Sequence, residues 1–173
     1  MNKQLLSLIA IGLLSTFACF AQNPLPLYGN SAAKADTQLT IESMLSYAIQ
    51  DEYVAEAEYE AIMEKFGYMA PYSNIKEAEG QHIAWLKLLF TSYSLKVPEN
   101  NASSYIYVPT TLKEAAETGI RAEIDNIAMY ERFLAQPILA DPRYADIVAV
   151  FVRLRDASKN HLERRSTHYR PPQ

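Results

Sequence analysis

Apolar residues recur along this chain with a period near 3.6 in four long runs, each with its own start or stop signal. The first run follows Thr40, a side chain suited to capping a helix N-terminus, with Leu39 and Met44 placed for a hydrophobic staple. Its stripe is Leu45, Ala48, Ile49, Glu52, Ala55, Tyr59, Ile62, Met63 and Phe66, and Gly67 ends it. A turn around Tyr68 to Tyr72, containing Pro71, leads to a second run. That run starts near Ser73, reaches about Leu95, and sets Ile75, Ala78, Leu86, Leu89 and Tyr93 on one face. Thr111-Leu112-Lys113-Glu114 is a capping box that opens the third run, with Leu112, Ala116, Gly119, Ile120, Glu123, Ile127, Tyr130 and Leu134 in line. Asp141-Pro142 couples an N-cap acid to a proline at the first helical position. The fourth stripe is then Ile147, Val150, Phe151, Leu154, Ala157, Ser158, His161 and Leu162. The pattern predicts an all-α domain of four helices.

The connections are short, long and short. Lys96 to Pro109 is a loop of 14 residues holding Pro98, Asn100, Asn101, Ser103, Ser104 and Pro109. A helix of about 24 to 27 residues is about 36 to 40 Å long, and an extended segment of that loop's length spans up to about 46 to 50 Å. The loop can therefore run the full length of a bundle and set helices two and three parallel. The expected architecture is a four-helix bundle over residues 40–168 with one long crossover between helices two and three. Residues 22–39, with Pro24, Pro26 and Gly29, are expected to be an extended lead-in, and 169–173 a frayed tail.

Met1 to Ala21 stands apart. Lys3 gives a positive start, and Leu5 to Phe20 is an apolar run of about 16 residues, short for a membrane span. Cys19-Phe20-Ala21 then offers small residues for cleavage before Gln22, so residues 1–21 are expected to be a secretory signal. Exported, periplasmic or secreted protein follows, with no stable membrane insertion after cleavage. Lipoprotein anchoring at Cys19 fits less well, because Thr16-Phe17-Ala18 is a poor lead-in. Cys19 is the only cysteine, so the processed chain has no thiolate ligand, thiol nucleophile or disulfide. Loss of Lys3 leaves 15 basic against 20 acidic residues, a formal charge of −5. With no basic cluster to neutralise phosphates, nucleic-acid binding is not expected.

The polar residues that interrupt the stripes carry the candidate chemistry. Glu52, Glu123 and the pair Glu79-x-x-His82 each fall on an inward face, and His161 does so on the fourth helix. Residues three apart project from one helix face about a turn apart. A buried carboxylate or imidazole is costly unless a partner or a metal ion satisfies it. Only three histidines occur, and the third, His168, sits near the C-terminal end. Carboxylate oxygens with imidazole suit iron and manganese, and zinc also binds such sets.

These residues carry a resemblance. Glu52-Tyr53-Val54-Ala55 with Tyr59 resembles the first-helix E-x-x-A-x-x-x-Y pattern of rubrerythrin-type proteins of the ferritin-like superfamily. Asn74-Ile75 followed by Glu79 and His82, then Ala122-Glu123, resembles an uncharacterised ferritin-like family, the domain of unknown function 2202 family. So does Asp146-Ile147-Val148-Ala149-Val150-Phe151 leading to Ala157-Ser158-Lys159-Asn160-His161-Leu162. The likeness spans about Ser43 to Arg165. The resemblance to the broad superfamily implies a ferritin-like four-helix bundle and often a dinuclear metal site, while that to the closer family implies the fold and no established activity. The expected ion is iron or a similar metal, with ferroxidase or peroxidase-type chemistry if the site is redox-active. In such proteins a Glu from each of two helices joins an E-x-x-H from each of the other two.

The chain departs from that pattern at Ser158-x-x-His161, where the second carboxylate is absent, and at Asn126, neutral one turn beyond Glu123. Glu56, one turn from Glu52, is a candidate substitute, and Asp156 a less ready one. The expected ligands are thus Glu52, Glu79, His82, Glu123 and His161, with Glu56, Asn126 and Ser158 as auxiliaries, around one or two ions. A rival reading makes the same acids a hydrogen-bonded network in a metal-free helical envelope module with a structural or interaction role. Both readings are compatible with a homo-oligomer.

Overall fold

A computed structural model describes residues 25–168 of the chain, and the side chains up to 164. The expected signal segment, Cys19 included, and the tail 169–173 lie outside the described residues. Those residues form five α-helices and no strand: α1 (Gly29–Ala35), α2 (Ile41–Phe66), α3 (Tyr72–Ser92), α4 (Leu112–Leu134) and α5 (Ala145–His168). Short 3-10 turns lie at Ala102–Ser104, Pro137–Ala140 and Pro142–Tyr144. Among the described residues no helix is long and apolar enough to cross a membrane.

Local signals set most of the helix ends. Thr40 caps α2 by accepting from the Ser43 N–H at 3.1 Å, while the Ser43 hydroxyl accepts from the Thr40 N–H at 2.9 Å, so two orphan donors are satisfied together. Gly67 closes α2 with φ +96°, a conformation that strains any other residue. Thr111 caps α4 by accepting from the Glu114 N–H at 3.1 Å. Glu114 reaches one residue further back than a capping box requires, taking the Thr110 N–H at 2.6 Å and its hydroxyl at 2.7 Å. Asp141 caps the turn into α5 by accepting from the Arg143 N–H at 3.0 Å. The expected start of α3 at Ser73 moves back to Tyr72. There the Met69 carbonyl takes the Ser73 N–H at 3.1 Å, so a side-chain cap is not needed.

The side-chain pairings fix the helix directions. Tyr130 of α4 reaches Glu52 of α2, while Tyr59, two turns further along α2, reaches Glu123, two turns earlier in α4. The two helices are therefore antiparallel. His82 meets Glu52 and Lys76 meets Glu60, so α3 is also antiparallel to α2. It follows that α3 and α4 run the same way, and the connection between them must travel the length of the helices. It does so along α2: Tyr105 stacks on Tyr28 at 4.4 Å, the Tyr107 N–H donates to Glu58, and the Pro109 carbonyl accepts from Lys65. Tyr130 against Phe151 and Asn126 against Ser158 make α5 antiparallel to α4.

One expectation is corrected. The lead-in is not extended throughout, because α1 folds onto α2 and α4. The Gly29 and Asn30 N–H groups donate to Gln50 and Asp51 at 3.2 and 3.0 Å, and Arg132 donates to the Ala33 and Asp36 carbonyls. Seven residues cannot sustain a helix by local bonds alone, so these contacts hold it.

The interior has three layers along the helix axes. Met44, Leu45, Ile49, Leu86, Phe90, Phe133, Ile147, Phe151 and Leu154 fill one end, all buried. Tyr59, Ile62, Tyr72, Ile75 and Ala115 form a smaller cluster at the other. Between them lie the buried polar residues Glu52, Glu79, His82, Glu123, Asn126, Ser158 and His161.

Candidate metal centre

Each long helix delivers part of this middle layer by its own periodicity. Glu52 occupies a stripe position of α2, and Glu79 and His82 on α3, Glu123 and Asn126 on α4, and Ser158 and His161 on α5 each stand three positions apart. The five expected ligands are between 2 % and 6 % exposed, so none points to solvent.

They converge as two groups that share one member. His82 Nδ1 lies 2.8 Å from Glu79 Oε2 and 3.0 Å from Glu52 Oε2. His161 Nδ1 lies 3.5 Å from Glu79 Oε1 and 3.4 Å from Glu123 Oε1. Glu52, Glu79 and His82 thus make one possible cation-binding group and Glu79, Glu123 and His161 a second, each with donor atoms within 4.8 Å of one another. The imidazole rings stack with centroids 6.3 Å apart. Two tyrosines close the layer: Tyr130 donates to Glu52 Oε1 at 2.7 Å and Tyr59 to Glu123 Oε1 at 3.2 Å.

The charges are strongly coupled. Burial alone would lower the His82 pKa, but hydrogen bonds and charge from Glu52 and Glu79 outweigh it and raise it to about 10. Burial and then the Glu52 charge push Glu79 well above the carboxylate range. Burial also opposes ionisation of Glu52, yet the hydrogen bond and charge of His82 win and lower its pKa. Burial, then the neighbouring Glu52 charge, drives the Tyr130 phenol upwards. A cation is what this layer favours, and the His82 proton supplies one.

The auxiliary residues divide. Ser158 and Asn126 do enter the layer, but they bond to each other: the Ser158 hydroxyl donates to Asn126 Oδ1 at 2.6 Å, and Asn126 Nδ2 donates to Asp51 Oδ2 at 2.8 Å. Glu56 does not join them. Its carboxylate lies over Gly80 in an outer groove between α2 and α3, because its position on α2 is rotated away from the interior. Asp51 is the residue that the periodicity did not reveal. It lies one position off the α2 stripe, half-buried, and burial with the Glu52 charge pushes its pKa up to about 7 against hydrogen bonds from Asn126 and Asn30. Its only sequence signal is that it precedes Glu52.

The layer is reached from outside. A cleft of about 240 Å³ between α2 and α4 is lined by Glu52, Glu79, Glu123, Asn126 and Ser158 of the layer and by Asn30, Asp51, Glu58, Arg121 and Asp125. The residues present suit a divalent cation. Three carboxylates and two imidazoles form a hard, mixed oxygen and nitrogen donor set. His161 Nδ1 is moreover a buried polar atom without a hydrogen-bond partner, a state that otherwise carries a desolvation cost. This buried Glu and His cluster could hold a metal ion. Comparison of the chain with family models, curated proteins and solved structures finds no match.

Proposed function

We propose that the chain is a ferritin-like four-helix protein that binds iron, or manganese or zinc in its place, in the polar middle layer. The observation that carries this reading is His161 Nδ1: buried, without a hydrogen bond, and facing carboxylates of Glu79 and Glu123 at ligand-like spacing. Glu52, Glu79, His82, Glu123 and His161 would hold the ion. An iron ion there supplies one-electron chemistry of the ferroxidase or peroxidase type. The chain's own contribution is to fix donors on four rigid helices, to ground Glu52 and Glu123 on the Tyr130 and Tyr59 hydroxyls, and to admit small molecules through one cleft. From the Met1 to Ala21 pattern we also propose export.

A second reading has its own support. The Ser158, Asn126 and Asp51 chain is a self-satisfied polar network, as a metal-free structural or interaction module would have. Metal content after anaerobic iron loading separates the two. The metal reading expects about one ion per chain or more in the wild type and a large loss in Glu79→Ala. Fewer than about 0.1 ion per chain, unchanged in Glu79→Ala, would leave the structural reading standing.

A further inference from the structure

We infer that α1 is a lid over the cleft, and that its docking sets the size of molecule that reaches the polar layer. With α1 docked, molecules of a few heavy atoms enter; with α1 lifted, larger organic molecules do. The inference goes beyond the proposed ion, because a lid governs access whatever the layer holds.

α1 stands where three clefts meet. Asn30, in its first turn, lines the cleft that opens on the layer. It also lines a second of about 140 Å³ against Met129 and Arg132 of α4, and a third of about 240 Å³ against Val54 of α2 and Tyr105. The first and second clefts share Asp125, and the first and third share Asp51 and Val54. Removing that one turn therefore joins all three. The docked cleft, at about 240 Å³, has room for about eight waters. The joined space falls in the range of about 300 to 1,000 Å³ that accommodates drug-sized organic molecules.

α1 is also the segment of the domain most easily lifted. Of its seven residues only Gly29 and Ala33 are buried, so little apolar surface holds it, and a helix this short is not stable by itself. Its hold is polar and lies at its two ends. The Gly29 and Asn30 N–H groups donate to Gln50 and Asp51 at one end, and Arg132 donates to the Ala33 and Asp36 carbonyls at the other. Such bonds exchange for bonds to water with small net change, so α1 opens before the long helices do. Tyr28, stacked on Tyr105 before it, and Thr40, capping α2 after it, keep the lifted segment beside its seat.

The seat itself belongs to the layer. Asp51, which receives the Asn30 N–H, also accepts from Asn126, and Asn126 accepts from Ser158, so a hydrogen-bonded chain runs from the lid into the layer. The fit is close: a Cβ added at Gly29 would lie 2.8 Å from Asp51 Oδ1 and 3.1 Å from the Asp51 backbone. Gly29→Ala therefore unseats one end of α1, as Arg132→Gln unseats the other.

Labelling of a thiol placed in the cleft tests this. Ala122 of α4 lines the cleft and is none of the polar residues of the layer. Cys19→Ser with Ala122→Cys leaves the full chain one thiol. Rates with methyl methanethiosulfonate and with a bulky maleimide dye are each normalised to the urea-unfolded chain. The folded chain should exclude the dye about 100-fold more strongly than the small reagent. Gly29→Ala and Arg132→Gln should each raise the dye rate about tenfold and leave the small-reagent rate within about twofold. With Ser73→Cys as the thiol instead, in the outer groove between α2 and α3, both rates should stay unchanged in the two variants. A dye rate unmoved by both variants, or a parallel rise at Ser73→Cys, overturns the lid. Should Ala122→Cys fail to fold by circular dichroism, amide exchange of the wild type decides. Exchange over 29–36 at least about tenfold faster than in α2 to α5 supports the lid, and exchange in step with α2 overturns it.

Discussion

A buried carboxylate is only as stable as the donors that face it, and Glu52 has one on each oxygen: Tyr130 at 2.7 Å and His82 at 3.0 Å. Tyr130→Phe deletes the first without opening a cavity of any size. The buried oxygen then lacks its partner, and the metal-free protein should lose about 1 to 3 kcal/mol in denaturant melts, with weaker ion retention as well. Unchanged melts would mean that the hydroxyl contributes nothing to the layer. At this scale the sequence was informative where residues sat on a clear stripe. The five expected ligands converge because each lies on the inward face that the periodicity identified. Glu56 lies outside the layer because one turn along a helix keeps a residue near a face, yet the next helix decides which side of that face is interior. Asp51 was missed because one step from Glu52 is a rotation of about 100°, and only docking of α1 and Asn126 brings it into the network.

The elements end where local chemistry ends them, which is why Thr40, Gly67, Thr111 and Asp141 were legible as boundaries. The C-terminus of α3 is less economical. Ser94 takes φ +53°, a left-handed conformation that glycine adopts without a Cβ penalty, while Leu95 N–H closes the turn on the Phe90 carbonyl at 2.9 Å. Ser94→Gly should stabilise the protein by about 1 kcal/mol, a rise in Tm of about 2 to 4 °C. The opposite change is expected at Gly29, where φ is +55° and an added Cβ would lie 2.8 Å from Asp51 Oδ1. Gly29→Ala should loosen α1, seen as faster amide exchange over 29–35 while α2 to α5 keep their protection.

Glu114 at the start of α4 gives a pH signature. The Tyr107 hydroxyl, then the Thr110 hydroxyl and N–H, hold its pKa down to about 2 from 4.5. A depressed carboxylate stabilises above its unfolded pKa and loses that contribution as pH falls through the folded one. Glu114→Gln should therefore be less stable than wild type at pH 7, and the gap should close between pH 4.5 and about 2. α1 itself left no trace in the sequence pattern. Gly29 to Ala35 is too short to show a period, and its stabilising partners, Gln50, Asp51 and Arg132, are distant in sequence.

The whole molecule is organised as a polar layer clamped between two apolar clusters. The larger cluster anchors all four long helices at one end, so Phe151→Ala should cost about 3 to 5 kcal/mol by chemical denaturation. The length of the long connection permitted a crossover, since 14 extended residues can span a helix and a tight turn cannot. Its direction is fixed by the pairings of α2 with α3 and α4. The depth at which the polar positions of the four long helices meet was not legible. It depends on how far each helix slides along its neighbours, which Tyr130 on Glu52 and Tyr59 on Glu123 register only in three dimensions. Anomalous diffraction at the iron edge from crystals of the iron-loaded protein tests the account most directly. It predicts a peak within about 2.0 to 2.3 Å of donor atoms of Glu79 and of His82 or His161. A loaded crystal with no peak in this layer, or with iron only on surface acids such as Glu60 and Glu64, would contradict it.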